Sequence, residues 1–413
     1  MPKRDRFFNP NRFAKTKNAK TFIADVTKQL IGLEKHDGLR QRARKKSDEE
    51  IFRRQIEAIA CEAAHRYITD PSKRVAIGLS NQKLSRKDSE SKILNNTLSQ
   101  NLKNLARPEM AFIELEAGNQ TLGLVTTFSA GKRLIVRINE LKLTYNDFGV
   151  ERSKNVIELR GAKNHKGGKG KLIKYEETDL TRQYKDEMEQ INAHLSKADI
   201  CYQGDKDIDD SRRDLKRIFS NGSFEESGRL YGGFWSNMKN KDRREITIDD
   251  DWVVSLDYGQ MAVRLAYSLA KAPITFEDGY LIPGWEKARD GIKKLINIML
   301  NCEYSYELYI PASIKKAYKI RRDWEQRLFD DIRNYHAPIA HLFHKPLGTR
   351  FMFLESEILV DVLLELNEKG ITALPIHDCV LVKGSVAHEA KDIMLRVFRE
   401  HTGVEGSIDI EHL

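Results

Sequence analysis

The chain has 413 residues, of which 40% are hydrophobic and 32% charged, a composition typical of a folded protein long enough for two or three domains. Its four cysteines are far apart in sequence, which argues against a disulfide framework and a cysteine zinc site. No apolar run reaches the ~18 residues of a membrane span, and the basic N-terminus lacks the apolar core of a signal peptide. We therefore expect a soluble, intracellular, cytoplasmic protein without a membrane partner.

The positive charge is concentrated in the first half of the chain. Residues 1–200 carry 40 Lys and Arg against 26 Asp and Glu, which gives +14, whereas residues 201–413 carry 30 against 35, which gives −5. A basic half beside a mildly acidic half indicates a polyanion-binding module, for which nucleic acid is the usual partner. Basic proteins are common, so this interpretation depends on the motifs that follow.

Residues 1–70 are predicted to form a basic arm and a helical region. The arm, residues 1–20, combines cations with aromatic side chains. Residues 22–68 have apolar side chains at helical spacing, interrupted by a charged joint at 41–50, and Thr69-Asp70-Pro71 ends the pattern.

Residues 71–200 are predicted to be an α+β nucleic-acid-binding region. Ser89 to Leu105 has a helical apolar stripe, and two short apolar segments, 112–116 and 121–128, flank Gly118-Asn119, a hairpin signal. Helices followed by a hairpin resemble a winged helix, but a generic α+β layer fits the same pattern. Both interpretations stay open from the sequence.

A basic, glycine-rich loop follows at residues 160–174, with six Lys or Arg, four Gly and no acid. Such a loop suits phosphate contacts, and solvation alone is the alternative. It lacks the pattern of a P-loop. A helix is predicted at 178–195, and the polar stretch 203–214 is the candidate domain boundary. The candidate nucleic-acid contacts of the loop are Lys163, Lys166, Lys169 and Lys171.

Two aspartates in the second half follow apolar strands. The segment 252–256 ends in Asp257 and is followed by a helical pattern, and His377-Asp378 separates two apolar runs as the turn of a hairpin would. A single Asp at such a place is most often a helix cap. Two of them brought together would suit two Mg²⁺ ions about 3.5–4 Å apart, with Mn²⁺ as an alternative, because these metals prefer carboxylate oxygens.

A helix is predicted between the two acids, at 289–301. Arg289, Lys293, Asn297 and Asn301 recur every four residues and form one polar stripe. Cations one turn apart can neutralise separate oxygens of a triphosphate. A solvated helix face has the same pattern, so the helix alone does not distinguish the two.

Four segments of the second half resemble motifs of the family A DNA polymerases. VVSLDYGQMAVRLAYSLA resembles motif A, the stripe that begins at Arg289 resembles motif B, and PIHDCVLV resembles motif C. Gly228-Arg229-Leu230 resembles the GRL that precedes motif A, and the four occur in the family's order over residues 215–413. Single-subunit phage-type RNA polymerases share this palm.

The resemblance implies a role for each matched residue. Asp257 and Asp378 would bind the metals, with the backbone carbonyl of Tyr258 as a further ligand. Lys293 would act with Arg289 on the triphosphate and give a proton to the leaving pyrophosphate. The resemblance further implies that Arg229 lies near the primer–template minor groove and His377 near the primer end.

The departures from the family pattern concern the substrate pocket. The family's glutamate that blocks a ribose 2′-hydroxyl is Ala262 here, so we expect relaxed sugar selection. Asn297 and Asn301 replace an aromatic pair, and Cys379 replaces the glutamate after His-Asp. The fingers are predicted to be short, because Asp257 and Arg289 are 289 − 257 = 32 positions apart. No segment resembles a proofreading exonuclease.

The predicted fold class is α+β, with a family A-like palm and short fingers at 215–413 after the regions 1–70 and 71–200. The predicted function is template-directed synthesis by a DNA polymerase or primase-polymerase of a phage or mobile element. Its partners would be a DNA or RNA template–primer and nucleoside triphosphates. A DNA-binding replication initiator with a decayed palm is the alternative, and a metal-dependent nuclease ranks behind both because it has no need of the Arg289–Lys293 stripe.

Overall fold

The computed structural model describes residues 6–79, 92–119, 124–151, 155–163, 168, 170–206, 208–301 and 325–413. The chain divides into two compact units. The first comprises Met1–Ser153 with Asp205–Arg212, and the second comprises Lys154–Gly204 with Arg213–Leu413. None of the helices in the described ranges combines the length and apolar character that crossing a bilayer needs.

In its described residues, the first unit contains six strands and four α-helices. The strands are β1 (Arg6–Phe7), β2 (Arg12–Ala14), β3 (Val75–Ile77), β4 (Ile113–Glu116), β5 (Thr126–Ala130) and β6 (Phe148–Val150). The helices are α1 (Lys17–His36), α2 (Lys46–Thr69), α3 (Asn96–Leu105) and α4 (Lys132–Glu140).

The hairpin predicted in this unit is present. β4 pairs with β5 in antiparallel register, and β5 also pairs with β3, which gives the sheet order β1-β3-β5-β4. The helix predicted from Ser89 begins at Asn96 instead, because the Asn95 side chain accepts a hydrogen bond from the Thr97 amide and caps it. Residues 80–91 lie outside the described part. A helix before a hairpin whose second strand pairs with β3 is the arrangement that the winged-helix interpretation requires, and that interpretation stays a prediction.

One hydrophobic core joins the two regions that the sequence analysis separated at residue 70. It includes Phe22 of α1, Ile59 of α2, Leu102 of α3 and Phe128 of β5. The predicted boundary between 71–200 and 215–413 also differs from the structure. Residues 155–204 belong to the second unit, because β7 at 157–160 pairs in parallel with a strand at 215–219.

A buried ion network fixes the N-terminal strands and segment 205–212 to α2. Arg12 and Glu62 are fully buried, and the Arg12 Nε donates to Glu62 Oε1 at 2.6 Å. Arg12 Nη2 also donates to Asp209 Oδ2 at 2.8 Å, and Arg6 lies 3.3 Å from Glu62. Burial opposes ionisation of Asp209, but the charges of Arg12 and Arg6 outweigh it and hold its pKa below the ordinary value. Burial and the same two cations lower the pKa of His65 to about 3, so it stays neutral.

Replacing Glu62 should therefore destabilise the first unit strongly. Glu62→Gln keeps the shape but leaves two buried guanidinium groups with Asp209 as their remaining carboxylate, so we expect a loss of about 3–5 kcal/mol. The matched control is Glu140→Gln, whose ion pair with Arg137 is exposed and should contribute under ~1 kcal/mol. Urea unfolding followed by circular dichroism measures both variants. Equal midpoints for the two would contradict a structural role of the network.

The second unit contains ten strands and seven helices in the described residues. The strands are β7 (Ile157–Arg160), β8 (Leu172–Ile173), β9 (Ile200–Tyr202), β10 (Leu215–Phe219), β11 (Ser227–Gly232), β12 (Ile246–Ile248), β13 (Asp251–Tyr258), β14 (Ala373–Ile376), β15 (Cys379–Lys383) and β16 (Ile408–His412). The helices are α5 (Asp179–Lys197), α6 (Asn240–Arg243), α7 (Met261–Leu269), α8 (Arg289–Asn301), α9 (Glu325–Tyr335), α10 (Gly348–Glu368) and α11 (Ala387–Thr402).

β13 is the central strand of a six-stranded sheet. Its order is β14-β15-β13-β12-β9, and β16 also pairs with β13. Residues 253–256 of β13 are buried without alternation, which is typical of a strand covered on both faces. A second sheet, β11-β10-β7-β8, carries Arg229 on its edge strand. The strand, helix and hairpin predicted around Asp257, Arg289 and Asp378 are all confirmed.

Candidate active site

Two antiparallel strands place the two predicted aspartates side by side. In the pairing of β13 with β15, Asp257 lies opposite Cys379, the residue after Asp378. The backbone amide of Tyr258 donates a hydrogen bond to the carbonyl of Asp378 at 3.3 Å. His377 has φ +58°, a left-handed conformation that tightens the turn between β14 and β15. The aspartates, 121 positions apart in sequence (378 − 257), are therefore neighbours.

A cavity of about 710 Å³ opens beside these aspartates. Eight of the residues predicted for the site line it: Arg229, Asp257, Tyr258, Ala262, Lys293, Asn297, Asn301 and Asp378. Ten others complete the lining: Asn221, Gln260, Met261, Tyr280, Pro346, Gly348, Thr349, Phe351, Met352 and Glu355. The cavity thus brings residues of all four resembled motifs to one place.

The surroundings of Asp257 disfavour its ionised form. Burial and, after it, the charge of Asp378 raise the pKa of Asp257 to about 6, against the opposing charge of Lys293. Asp409 and Glu411 on β16 add to this effect. Carboxylates held together against their mutual repulsion are the donor type that a divalent cation neutralises.

The sequence analysis missed Asp409. It lies directly opposite Asp257 in the pairing of β13 with β16, so the two side chains share a face of the sheet. The alternation of Ile408, Asp409, Ile410 and Glu411 is a strand signal, but it gives no pairing partner. In the described part of the chain, no group of three or more His, Cys, Asp or Glu is placed to hold a metal.

Tyr258 contributes its backbone to the cavity rather than its phenol. The Tyr258 hydroxyl donates to the carbonyl of Met394 at 2.7 Å, and the ring packs against Phe398 at 5.3 Å between centroids. Burial raises the pKa of this phenol. The side chain therefore fixes β13 against α11 and leaves the main chain at the cavity.

Helix α8 presents three residues of its predicted polar stripe, Lys293, Asn297 and Asn301, to the cavity. Ile292, Leu295 and Ile296 are buried on the other face. Asn301 Nδ2 donates to the Asn297 carbonyl at 2.8 Å, and the Asn297 side-chain oxygen is buried without a hydrogen-bond partner among the described residues. That buried acceptor is available to a ligand that donates a hydrogen bond.

Close packing holds the end of α8 against the start of α10. A Cβ on Gly348 would lie 2.4 Å from Asn301 Oδ1, so a larger residue there would displace the Asn301 side chain. Helix α10 extends over Gly348–Glu368, and its first turns line the cavity.

Arg289 and His377 are not among the residues that line the cavity. The guanidinium of Arg289 pairs with Asp278 and lies 5.7 Å from the centre of the Tyr280 ring. Burial lowers the pKa of His377, and the charge of Arg229 lowers it further. Their triphosphate and primer-end roles stay predictions.

Arg229 is held by a carboxylate to which the sequence analysis gave no role. Its guanidinium donates to Glu355 of α10. Burial raises the pKa of Glu355, and the charge of Arg229 opposes this rise. Gly228 has φ +69°, and a Cβ there would lie 2.8 Å from Ser356 Oγ, so the glycine of the GRL motif lets β11 approach α10. The minor-groove role of Arg229 stays a prediction.

Tyr280 is a second residue that the sequence analysis missed. The loop before it is fixed by Gln260, whose Oε1 accepts from the Gly279 amide at 2.8 Å and whose Nε2 donates to the Glu277 carbonyl at 3.0 Å. Tyr280 is 2% exposed, and burial raises its pKa to about 12. It lines the cavity, as does Ala262.

The basic loop at 160–174 lies on the hairpin of β7 and β8. Lys163 and Lys171 are exposed, and the Gly161 amide donates to the Lys171 carbonyl at 2.8 Å. Lys166 and Lys169 lie outside the described residues. Contact between this loop and nucleic acid stays a prediction.

Comparisons with known proteins add a distant likeness to solved structures. No family model and no curated protein matches the chain. Among solved structures, the chain is similar to the POL domain of Pol1 from M. smegmatis in complex with DNA primer-template and dNTP, with 11% identity and a TM-score of 0.34. The likeness covers 56% of this chain and 52%, about half, of that one. A likeness this low assigns neither fold nor activity by itself, so the cavity is interpreted from its own geometry.

The raised pKa of Asp257 predicts that this residue destabilises the fold at neutral pH. Because its folded pKa of about 6 exceeds the ordinary 3.8, the stability it contributes is present below about pH 4 and is lost as the pH rises through about 6. Asp257→Asn should therefore unfold at an equal or higher temperature than the wild type at pH 7.5, and the difference should vanish near pH 4. Differential scanning calorimetry in EDTA measures it.

Asp251 at the other end of β13 is the matched control. Its pKa is lowered by hydrogen bonds from Ser385, the opposite sign. Asp251→Asn should lower the unfolding temperature at pH 7.5. A clear loss of stability in Asp257→Asn under the same conditions would contradict the repulsion described above.

Proposed function

We propose that the second unit is a template-directed nucleic-acid polymerase. The observation that supports this proposal is the cavity. Asp257 and Asp378 line it together with Lys293 and the two asparagine side chains of α8. Two neighbouring carboxylates near a cation suit a reaction in which a nucleoside triphosphate is bound by its phosphates and attacked by a hydroxyl. The reaction would be nucleotidyl transfer: a 3′-hydroxyl forms a bond to the α-phosphorus, and the bond to pyrophosphate breaks.

The donor set fits two Mg²⁺ ions, or Mn²⁺ in their place. Asp257 and Asp378 supply carboxylate oxygens, and the Tyr258 carbonyl supplies a neutral one. Burial and the neighbouring charge of Asp378 both raise the pKa of Asp257, and a divalent cation would favour the ionised carboxylate against both effects. When bound there, the ions would lower the pKa of the attacking hydroxyl and neutralise charge on the leaving phosphates.

The other residues of the cavity would orient the substrate. Lys293 is exposed at the cavity and is the proposed phosphate contact and proton donor to pyrophosphate. The unpartnered Asn297 oxygen and the Asn301 amide provide polar contacts to the nucleotide. Ala262 leaves space for a ribose 2′-hydroxyl, which favours a primase-polymerase or another enzyme with relaxed sugar selection.

The proposed partners are a DNA or RNA template–primer and nucleoside triphosphates. The net charge of +14 in residues 1–200 supports nucleic-acid binding by the basic half of the chain. An initiator with a decayed palm is the weaker alternative, because Asp257, Asp378 and Lys293 all face one open cavity.

Asp257→Asn and Asp378→Asn should each lower nucleotide addition by at least about a thousandfold, because each removes a charge that would hold metal during phosphoryl transfer. Extension of a labelled primer on DNA and RNA templates, with and without Mg²⁺, measures the loss. Binding of the same template–primer should change less than about threefold, since it depends on phosphate contacts elsewhere.

The control for this experiment is Asp251→Asn, the same substitution at the other end of the same strand. It should keep wild-type synthesis. Wild-type extension by either Asp257→Asn or Asp378→Asn would refute the assigned metal ligands. Absence of extension by the wild type on every template would refute the polymerase proposal.

Ala262→Glu should select against ribonucleotides. A carboxylate there would fill the space for the 2′-hydroxyl and cost the ribonucleotide about 1–3 kcal/mol, which is roughly ten- to a hundredfold in kcat/KM. Single-nucleotide incorporation of matched ribo- and deoxyribonucleotides by wild type, Ala262→Ser and Ala262→Glu measures the ratio. Strong rejection of ribonucleotides by the wild type would contradict an open pocket and would direct attention to Tyr280.

A further inference from the structure

Helix α3 in the first unit has an exposed polar face without carboxylates. Residues 91–108 contain no Asp or Glu. Asn96, Gln100 and Lys103 are exposed on one face at helical spacing, with Ser99 half-buried beside them. The opposite face carries Leu98, Leu102 and Leu105, which are fully buried. The helix is thus fixed by its apolar face and presents amides and a cation outward; we name Asn96, Ser99, Gln100 and Lys103 the α3 face.

A groove of about 600 Å³ lies beside the α3 face. On one side are the amide side chains of α3, and on the other are the segment between α1 and α2 and the first turns of α2. The groove is lined by Glu34, Leu39, Arg40, Arg44, Asp48, Ile51, Phe52, Asn95, Thr97, Gln100, Asn101 and Asn104. The segment between the helices adds a further exposed cation, Arg42, close in sequence to Arg40.

The cations at this groove differ in their availability. Arg44 is occupied, because it pairs with Glu34 and lies 3.4 Å from the centre of the Phe52 ring. Arg40, Arg42 and Lys103 have no ion pair among the described residues and are exposed. Cations without internal partners at the rim of a groove are suited to an external polyanion.

A buried amide network makes the α3 face rigid. The Oε1 of Gln55 in α2 accepts from Asn101 Nδ2 at 2.6 Å and from Thr97 Oγ1 at 3.0 Å. Its Nε2 donates to the carbonyl of Ile93 at 2.7 Å. The position and rotation of α3 are therefore set before any partner binds. A helix that discriminates among partners benefits from being fixed in this way.

We propose that the α3 face enters the major groove of double-stranded DNA and reads its sequence. Asn and Gln side chains can pair with both hydrogen-bonding groups of an adenine edge, and a helix fits the ~12 Å width of that groove. Asn96 and Gln100 contact base edges, whereas Lys103, Arg40 and Arg42 contact phosphates. This site is independent of the cavity in the second unit and of the function proposed for it.

Duplex DNA fits this surface better than other nucleic acids do. Proteins that hold single strands stack bases on exposed aromatic rings. The large exposed aromatic residues of the described part of this unit, Phe7 and Tyr145, lie on neither α3 nor the 37–45 segment. The deep, narrow major groove of an RNA duplex does not admit a helix.

The groove also contains a carboxylate, Asp48, whose removal should strengthen DNA binding rather than weaken it. Asp48 lines it and has no ion pair among the described residues, whereas Glu34 is neutralised by Arg44. A phosphate backbone beside Asp48 would be repelled, so Asp48→Asn should tighten duplex binding by a few-fold at low salt.

The experiment selects binding sites for the full-length chain from a pool of random-sequence DNA duplexes of about thirty base pairs, followed by sequencing. We expect one enriched sequence. Asn96→Ala and Gln100→Ala should weaken binding of that sequence about ten- to a hundredfold and relax the preference at one or two base pairs each. Lys103→Ala and Arg40→Ala should weaken all duplexes equally and reduce the log–log salt slope by about 0.9 each.

The matched controls are Lys20→Ala, some 14 residues or about 21 Å along α1 from Glu34, and Gln183→Ala in the second unit. Both should bind like the wild type, and equal unfolding temperatures will establish that all variants fold. Gln100→Glu is a second test at an exposed position and should weaken every duplex by repulsion. The proposal is overturned by a pool without an enriched sequence, by an unchanged motif in the Asn96 and Gln100 variants, or by tighter binding to single strands or RNA duplexes.

Discussion

The hydrogen bond between the Tyr258 amide and the Asp378 carbonyl joins the end of β13 to the turn between β14 and β15. It places two carboxylates next to each other, which costs free energy, because burial and the charge of Asp378 both disfavour the ionised form of Asp257. The surrounding sheet supplies the stability that tolerates this arrangement, since residues 254–256 are buried and paired on both sides. Everything proposed for the cavity depends on this enforced proximity.

The wall opposite the aspartates depends on close backbone approach rather than on charge. Gly348 and Gly228 each stand where a Cβ would collide with a side-chain oxygen, of Asn301 and Ser356 respectively. The absence of a Cβ lets α8 and β11 lie close to α10. The asparagines of α8 and the pair of Arg229 with Glu355 line the same cavity. A site that must hold its groups within a few tenths of an ångström benefits from such rigid supports.

In the first unit, short strands and the segment 205–212 are fixed to a helical core. A buried ion network holds them there, in which the carboxylates of Glu62 and Asp209 pair with the guanidinium groups of Arg6 and Arg12. The buried cations of this network are thereby paired with carboxylates inside the unit, whereas the exposed Arg40, Arg42 and Lys103 have no ion pair among the described residues. Charge in this unit therefore has two separate uses, one for its stability and one for its surface.

The sequence by itself determined the local elements and the chemistry each carries. The apolar run before Asp257, the turn at His377 and Asp378 and the polar stripe of α8 follow from periodicities of two and of 3.6, which are set within a few residues. Most of the predicted lining of the cavity followed from them. Only the tertiary structure decided that Asp409 lies opposite Asp257, that Glu355 pairs with Arg229 and that 205–212 returns to the first unit. These depend on strand register and on packing between distant segments, and local periodicity contains no information about which segment meets which.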